Sequence, residues 1–207
     1  MPGPSAIDLN ADYLRPYTSA ARRTQGRFET LLWAGPHTQA ARFEAICRLV
    51  DLNGAHVMDV GCGRADLLEY FTKRRIHPAQ YTGIEAVPEL VEVARERAAL
   101  WPGAAIIEDD FVTHSDSLFA GAEVILISGA LNTLPQASFF DVIAQGFAAA
   151  GRCVVFNFLC SPSLAAADYL HWYQAEEVLK FAYKLTPVVG KLEDYLDGDC
   201  TLMLGKK

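Results

Sequence analysis

One short strand followed by a glycine turn constrains the fold of this chain more than any other feature. Residues 55–60 form a mainly apolar run, and Gly61, Cys62 and Gly63 follow it shortly before a helical apolar stripe that begins at Leu67. The run predicts a buried strand, and glycines let the backbone turn sharply and approach a ligand closely. The next helix begins with free N–H groups that can receive a charged ligand group. The sequence therefore predicts a strand–turn–helix unit with a ligand site at its bend.

Strands and helices alternate along most of the chain. Further apolar runs predict strands at residues 81–85, 104–107, 122–127, 153–159, 187–192 and 200–204. Helical patterns lie around them, after Thr38, Pro88 and Pro135 and over residues 174–185. This alternation predicts a single α/β domain built on a mostly parallel sheet, with helices on both faces. We assign residues 38–207 to this domain and residues 1–37 to a helical N-terminal cap or lid.

Composition argues against several classes of protein. The chain has 207 residues, of which 18 are basic and 25 acidic, and its net charge is −7. This balance argues against a nucleic-acid partner, because binding a phosphate backbone needs a basic face. Five cysteines without a C-x-x-C pair are typical of reduced thiols, and no apolar stretch reaches the ~20 residues of a membrane span. We therefore expect a cytoplasmic protein that binds neither nucleic acid nor membrane; the sequence leaves its oligomeric state open.

Acidic residues stand at the carboxyl ends of three successive predicted strands. Asp59 precedes the glycine turn, Glu85 ends the second strand, and Asp109 and Asp110 follow the third. Ligands of open α/β sheets bind at these strand ends, where a carboxylate such as Glu85 can accept hydrogen bonds from ribose hydroxyls. A carboxylate beside the turn repels a pyrophosphate, and Asp66 replaces the third glycine of a dinucleotide-binding motif. The acids together indicate a nucleoside ligand that carries an amino group and no phosphate.

Four stretches of the chain resemble the class I S-adenosylmethionine-dependent methyltransferases, in the order and approximate spacing of that family. They are VMDVGCGRADLLEYF at residues 57–71, YTGIEAVPELVEVARER at 81–97, AAIIEDDFV at 104–112 and AEVILISGALN at 122–132. The resemblance covers residues 38–207 and implies a Rossmann-like, seven-stranded sheet with an antiparallel last strand. It also implies S-adenosyl-L-methionine as the cofactor and S-adenosyl-L-homocysteine as its product. One departure is Ala65, where many members have glycine, and we expect a modest change in the turn.

The resemblance also implies which residues contact the cofactor. They are Asp59, Gly61, Cys62 and Gly63 for the methionine part, Glu85 for the ribose, Ala86 or Val87 for the adenine face, Asp110 and Phe111 for the adenine edge, and Ser128 and Gly129 for the sulfonium side. Asp109 is the alternative to Asp110, and the sequence does not decide between them. Cys62 is expected to be a small packing residue of the turn rather than a nucleophile.

Three residues outside these motifs carry groups suited to ion pairing or proton transfer. Arg42 would pair with the carboxylate of the cofactor in a bidentate way, or else lie on the surface of an amphipathic helix. His114 and His171 are possible general bases near neutral pH, with surface or structural roles as the alternative.

Candidates for contact with a methyl acceptor lie in the cap and in the loops after the strands. Trp33, Tyr17 and Tyr173 lie outside the main strands, where aromatic rings can hold a flat molecule or simply pack. Asn132 follows the fourth strand but lacks the Asn-Pro-Pro-aromatic motif of some amino-methylating members. No carboxylate lies between Ile127 and Asn132, so we expect no metal ion.

The function predicted from these features is transfer of a methyl group from S-adenosylmethionine to an O, N or S nucleophile of a small-molecule acceptor. Two alternatives come from other classes of protein. One is a non-catalytic nucleoside-binding subunit with the same fold, which would regulate or accompany a partner. The other is an NAD(P)-dependent oxidoreductase, which the missing glycine and the acid before the turn disfavour.

Overall fold

A computed structural model describes residues 7–114 and 119–207 and contains one seven-stranded sheet. The strands are β1 His56–Val60, β2 Gln80–Glu85, β3 Ala104–Glu108, β4 Val124–Ile127, β5 Cys153–Leu159, β6 Val189–Leu192 and β7 Asp199–Gly205. Their order across the sheet is β3-β2-β1-β4-β5-β7-β6, and β7 is antiparallel to both of its neighbours. The predicted Rossmann-like fold with an antiparallel last strand is confirmed.

Six α-helices are present among the described residues. They are α1 Arg15–Thr24, α2 Pro36–Leu49, α3 Asp66–Arg74, α4 Pro88–Ala98, α5 Gln136–Ala149 and α6 Ala175–Leu185. Proline sits at or just before the start of several of them, because its missing N–H has no partner in a first turn anyway. Pro88 is the first residue of α4, as predicted, whereas Pro135 caps α5 from the position before it. None of these helices combines the length and the apolar character that a membrane span requires.

Helices cover both faces of the sheet, as the sequence predicts. On one face α5 and α6 bury an aromatic cluster around Phe139, Phe156 and Phe158. On the other face, Ile46 of α2 and Leu68 of α3 belong to one apolar cluster with Val57 of β1 and Leu126 of β4. The two covered faces explain why the central strands are continuous apolar runs rather than alternating ones.

The sheet register brings the functional strand ends together. β1 pairs in parallel with β2 on one side and β4 on the other, so the three carboxyl ends lie along one edge of the sheet. β5 pairs antiparallel with β7, with Leu159 opposite Asp199, so the first residue of β7 lies at the same edge. The division at residue 37 stays a prediction; α2 itself begins at Pro36.

Candidate functional site

A pocket lies at this carboxyl edge, between the strand ends and the N-terminal segment. It contains about 1030 Å³ of empty space, counting its open mouth. Eleven residues predicted to contact a ligand line it: Tyr17, Trp33, Arg42, Gly61, Gly63, Glu85, Ala86, Phe111, Ser128, Gly129 and Asn132. The wall is mainly apolar with a few polar groups, which is the usual character of a small-molecule site.

The turn after β1 has a backbone that only glycine fits easily. Gly61 and Gly63 have φ angles of +68° and +56°. A Cβ atom on Gly61 would overlap the side chain of Ala130, and one on Gly63 would lie 2.6 Å from Leu31 Cδ2. Ala65 also adopts a left-handed conformation, with φ of 54°, which alanine tolerates only with some strain. Ala65 therefore occupies a left-handed position that glycine would hold without strain, and the expected modest change in the turn stays a prediction.

Glu85 joins this turn to the next strand end. Its Oε2 accepts the N–H of Gly63, and its Oε1 accepts the N–H groups of Ala86 and Val87, each at 2.9 Å. Burial raises the pKa of the Glu85 carboxyl, while these three backbone donors lower it. The carboxylate faces the pocket and at the same time holds two loops of its wall together.

Asp59 lies beneath the turn rather than in the pocket wall. It is buried, and the Tyr81 hydroxyl donates to its Oδ2 at 2.7 Å. Burial raises the pKa of Asp59 to about 7, more than the hydrogen bond from Tyr81 lowers it. Cys62 is also buried behind the turn, beside Gly83, and burial together with Asp59 and Glu85 raises the pKa of its thiol. Neither side chain lines the pocket.

The acids after β3 bind other parts of the protein. Asp110 accepts hydrogen bonds from the Tyr13 hydroxyl at 2.6 Å, from the Val112 N–H at 3.0 Å and from the Thr113 hydroxyl. Asp109 lies 2.7 Å from His114 Nδ1. Of the three acids expected to face one pocket, only Glu85 lines it, because Asp59 and Asp110 are engaged by tyrosines from elsewhere in the chain.

The N-terminal segment supplies two aromatic side chains to the wall. Trp33 lies against Gly129, where an added Cβ atom would be 2.8 Å from its ring. Tyr17 lines the same wall as Thr133, and burial and the nearby Glu85 raise the pKa of its hydroxyl to about 12. Tyr17 therefore stays protonated near neutral pH and acts as a hydrogen-bonding group rather than as a base.

Arg42 is buried in the pocket wall, so its alternative role as a surface arginine is wrong. Its Nε donates to Asp199 Oδ2 at 2.6 Å, and its Nη2 donates to the same oxygen. The guanidinium carbon lies 4.6 Å from the centre of the Trp33 ring, within the range of a cation–π contact.

Four further predicted site residues lie outside the pocket wall, as Asp59, Cys62, Asp109 and Asp110 do. Tyr173 is a core residue: its hydroxyl donates to the Leu134 carbonyl at 2.9 Å, and its ring packs on Phe139. The side chain of His171 is exposed, although its N–H donates to the carbonyl of Asn132. His114 packs beside Asp109, and Val87 is buried under α4. Neither histidine lines the pocket, so neither is placed to act as a general base there. Tyr173 does not line the pocket either, so it does not contact a methyl acceptor in it.

Comparison with known proteins agrees with this geometry. A family model described as "Methyltransferase domain" matches residues 57–149, the part that contains the turn, Glu85 and Gly129. This match covers a little under half of the chain and, together with the seven-stranded fold, supports the class I S-adenosylmethionine-dependent methyltransferase family. The seven-stranded sheet with its antiparallel last strand is the one that the resemblance implies.

Curated methyltransferases match a short part of the chain. A ubiquinone biosynthesis O-methyltransferase of Xylella fastidiosa is 38% identical over 71 residues, which are 30% of this chain and 28% of the relative. A phthiotriol/phenolphthiotriol dimycocerosates methyltransferase of Mycobacterium leprae is 34% identical over 61 residues, 22% of its length. The chain thus spans less than a third of these curated relatives.

Solved methyltransferase structures share the whole fold. Magnesium protoporphyrin IX methyltransferase from Synechocystis, with bound S-adenosylhomocysteine, has a TM-score of 0.71 at 14% identity, covering 94% of this chain and 98% of its own. An N-methyltransferase from Bradyrhizobium japonicum in complex with the same product has a TM-score of 0.65 at 17% identity, covering 92% and 98%. At these identities the likeness concerns the fold alone.

Several residues of the wall escape sequence analysis. Four leucines line the pocket beyond Asn132: Leu159, Leu164, Leu170 and Leu196. Nothing in the sequence distinguishes a leucine facing a pocket from one in the core. Among residues 7–114 and 119–207, no three metal-ligating side chains cluster in a way that could hold an ion, and the expectation of no metal stays a prediction.

Proposed function

We propose that this chain is an S-adenosylmethionine-dependent methyltransferase that acts on an O, N or S atom of a small-molecule acceptor. The observation that carries this proposal is that the glycine turn and the Glu85 carboxylate share one pocket wall, joined by the bond from the Gly63 N–H. A carboxylate at that position disfavours the pyrophosphate of NAD(P), because like charges repel. It favours the hydroxyls of a bare nucleoside.

The residues of the wall fit the cofactor. Gly61 and Gly63 line the pocket, and neither position has room for a Cβ atom. The bare backbone there would let the methionine part of the cofactor approach closely. Ala86 and Phe111 offer apolar surface to the adenine, and Ser128 and Gly129 lie where the sulfonium side would be. Asp59, Cys62 and Val87 would support these contacts from behind the wall.

Glu85 as placed has limited room for the ribose. A carboxylate offers about four acceptor positions, and three of them already receive backbone N–H groups. One ribose hydroxyl can therefore bind without change, and the second can bind if it displaces a backbone donor. Asp109 and Asp110 do not line the pocket, so their contact with the adenine would require the loop after β3 to move.

When bound, S-adenosylmethionine supplies a methyl carbon that its sulfonium has already activated. The part left to this chain is to align the acceptor and to exclude water from it. Trp33, Tyr17 and Asn132 supply a flat apolar face, a hydroxyl and an amide to the same pocket wall as Gly129. Leu159, Leu164, Leu170 and Leu196 add apolar surface to this wall, which favours an apolar small molecule as the acceptor.

A binding experiment tests the cofactor assignment. S-adenosylhomocysteine and NAD⁺ are titrated by calorimetry into the wild type, Glu85→Gln and the matched control Glu108→Gln. Glu108 ends β3 directly beside Glu85 but forms a surface pair with Arg95 at 3.1 Å. Because a hydrogen bond to a charged group contributes about 1.5–3 kcal/mol, we expect Glu85→Gln to weaken S-adenosylhomocysteine about tenfold or more and the control to bind like wild type. Tighter binding of NAD⁺, or equal affinity in all three proteins, would overturn the assignment.

A turnover experiment separates the enzyme from a non-catalytic subunit. Purified protein is incubated with methyl-labelled S-adenosylmethionine and a small-molecule cell extract. We expect label in a low-molecular-weight product. Tight binding of the cofactor without labelled product, tested across several extracts, would favour the regulatory subunit instead.

A further inference from the structure

Arg42 and Asp199 form a buried ion pair at the pocket wall. Side-chain exposure is 7% for Arg42 and 0% for Asp199. Removing two charges from water is costly, and such a pair is tolerated only when further hydrogen bonds satisfy both groups. The second oxygen of Asp199 does have a partner, because the Tyr195 hydroxyl donates to it and also lies 2.7 Å from the Thr201 hydroxyl.

The pair joins elements that are far apart in the chain. Arg42 lies in the middle of α2, and Asp199 is the first residue of β7, opposite Leu159 at the carboxyl edge of β5. Tyr195 comes from the loop between β6 and β7, whose neighbour Leu196 lines the pocket. The network is therefore built into the wall of the site.

One nitrogen of the guanidinium remains for a ligand. Nε and Nη2 donate to Asp199, whereas Nη1 has no hydrogen-bond partner in the part of the chain that the structure describes. Among those residues, Arg64 Nε is the one fully buried side-chain nitrogen or oxygen without a partner, so Arg42 Nη1 retains accessible surface. Because Arg42 is almost wholly buried and lines the pocket, that surface faces the pocket.

We propose that Asp199 is a positioning residue that aims Arg42 Nη1 at a carboxylate of the bound ligand. Asp199 occupies one side of the guanidinium and Trp33 stacks on its plane, so the free end keeps a fixed direction. A guanidinium N–H and a carboxylate form a short, charge-assisted hydrogen bond. The carboxylate belongs either to the amino-acid end of the cofactor or to the acceptor, and the inference rests on the proposed function.

The experiment measures selectivity for a carboxylate rather than affinity alone. S-adenosylhomocysteine is compared by calorimetry with S-adenosyl-3-thiopropylamine, which lacks only the carboxylate. Octanoate, a carboxylate with an apolar tail, is titrated into protein saturated with S-adenosylhomocysteine. The variants are Asp199→Asn and Arg42→Gln. Should Asp199→Asn fail to fold, Tyr195→Phe replaces it, because that change removes the donor to the other Asp199 oxygen.

A matched control comes from the same helix and the same loop. Arg48 of α2 donates to Asp194 of the β6–β7 loop at 3.1 and 3.2 Å, but the pair is exposed and neither residue lines the pocket. Arg48→Gln thus removes a link between the same two segments without touching the site. We expect it to bind every ligand like wild type.

The source of the carboxylate decides which ligand responds. If it belongs to the cofactor, the site variants bind S-adenosylhomocysteine about tenfold more weakly and bind the amine analogue like wild type. If it belongs to the acceptor, both nucleosides bind unchanged and octanoate binding falls about tenfold. Equal weakening of both nucleosides indicates a purely structural pair and overturns the proposal, as does a lack of change with every probe. Failure of the wild type to bind S-adenosylhomocysteine would refute the proposed function instead.

Discussion

Replacing Gly61 by alanine tests whether the turn after β1 is as crowded as the structure shows. At a φ of +68° an alanine costs about 1–2 kcal/mol in backbone energy. Its Cβ atom would also overlap Ala130 and lie 3.5 Å from Phe111 Cε1, and such overpacking costs about 1–3 kcal/mol. The unfolded chain loses conformational freedom in the variant, which returns about 0.4–1 kcal/mol. We therefore expect a net loss of roughly 1–5 kcal/mol in the free energy of unfolding.

Gly54→Ala is the control for the backbone part of that loss. Gly54 has nearly the same φ, +70°, but a Cβ atom there would meet no described atom within 4 Å. The two variants share the backbone cost and the effect on the unfolded chain, so their difference isolates the crowding. Urea denaturation followed by circular dichroism should show Gly61→Ala to be less stable than Gly54→Ala by about 1–3 kcal/mol. Equal losses would refute the reasoning that Ala130 closes the space above the turn.

Two further changes test the groups behind the wall. Asp59 ionises near pH 4 when unfolded but holds its proton to about pH 7 when folded, so ionisation opposes folding and wild-type stability falls between about pH 4 and 7. Asp59→Asn should flatten that slope in urea denaturation, and an unchanged slope would show that another group causes it. Tyr13→Phe removes the 2.6 Å bond to Asp110, which should speed hydrogen exchange of the α1 amides severalfold. Wild-type exchange in the variant would mean that this bond does not hold the N-terminal segment.

The fold was predictable because its signals are local. β5 covers residues 153–159 as predicted, since a strand buried on both faces is one continuous apolar run. β4 is shorter than predicted and begins at Val124. Its two expected first residues instead bond the segment before β5 and the start of β1. The Gly151 N–H donates to the Ala122 carbonyl, and the Glu123 N–H donates to the His56 carbonyl. Residue composition does not show which neighbouring backbone segment a peptide group will bond.

The acids of the candidate site were predictable only where the strand end itself supplies their contacts. The glycine turn and Glu85 form their contacts with residues that follow them closely or lie at the adjacent strand end. Asp59 and Asp110, in contrast, are engaged by Tyr81 and Tyr13. Residue type and position at a strand end do not reveal such partners, so the three acids resemble one another in sequence and differ in the structure.

The N-terminal segment shows the same limit most clearly. Residues 7–35 have no clear period, yet they reach three strand ends: Tyr13 contacts Asp110, Leu31 stands over Gly63, and Trp33 covers Gly129. Each contact is made by a single side chain with one residue far along the chain, so no repeating pattern marks it. The sequence identifies the turn and Glu85 from their position at a strand end, and Trp33 and Tyr17 only from their aromatic rings outside the strands. The four leucines of the wall, Leu159, Leu164, Leu170 and Leu196, carry no such mark, because an apolar side chain looks the same in sequence whether it faces a pocket or the core.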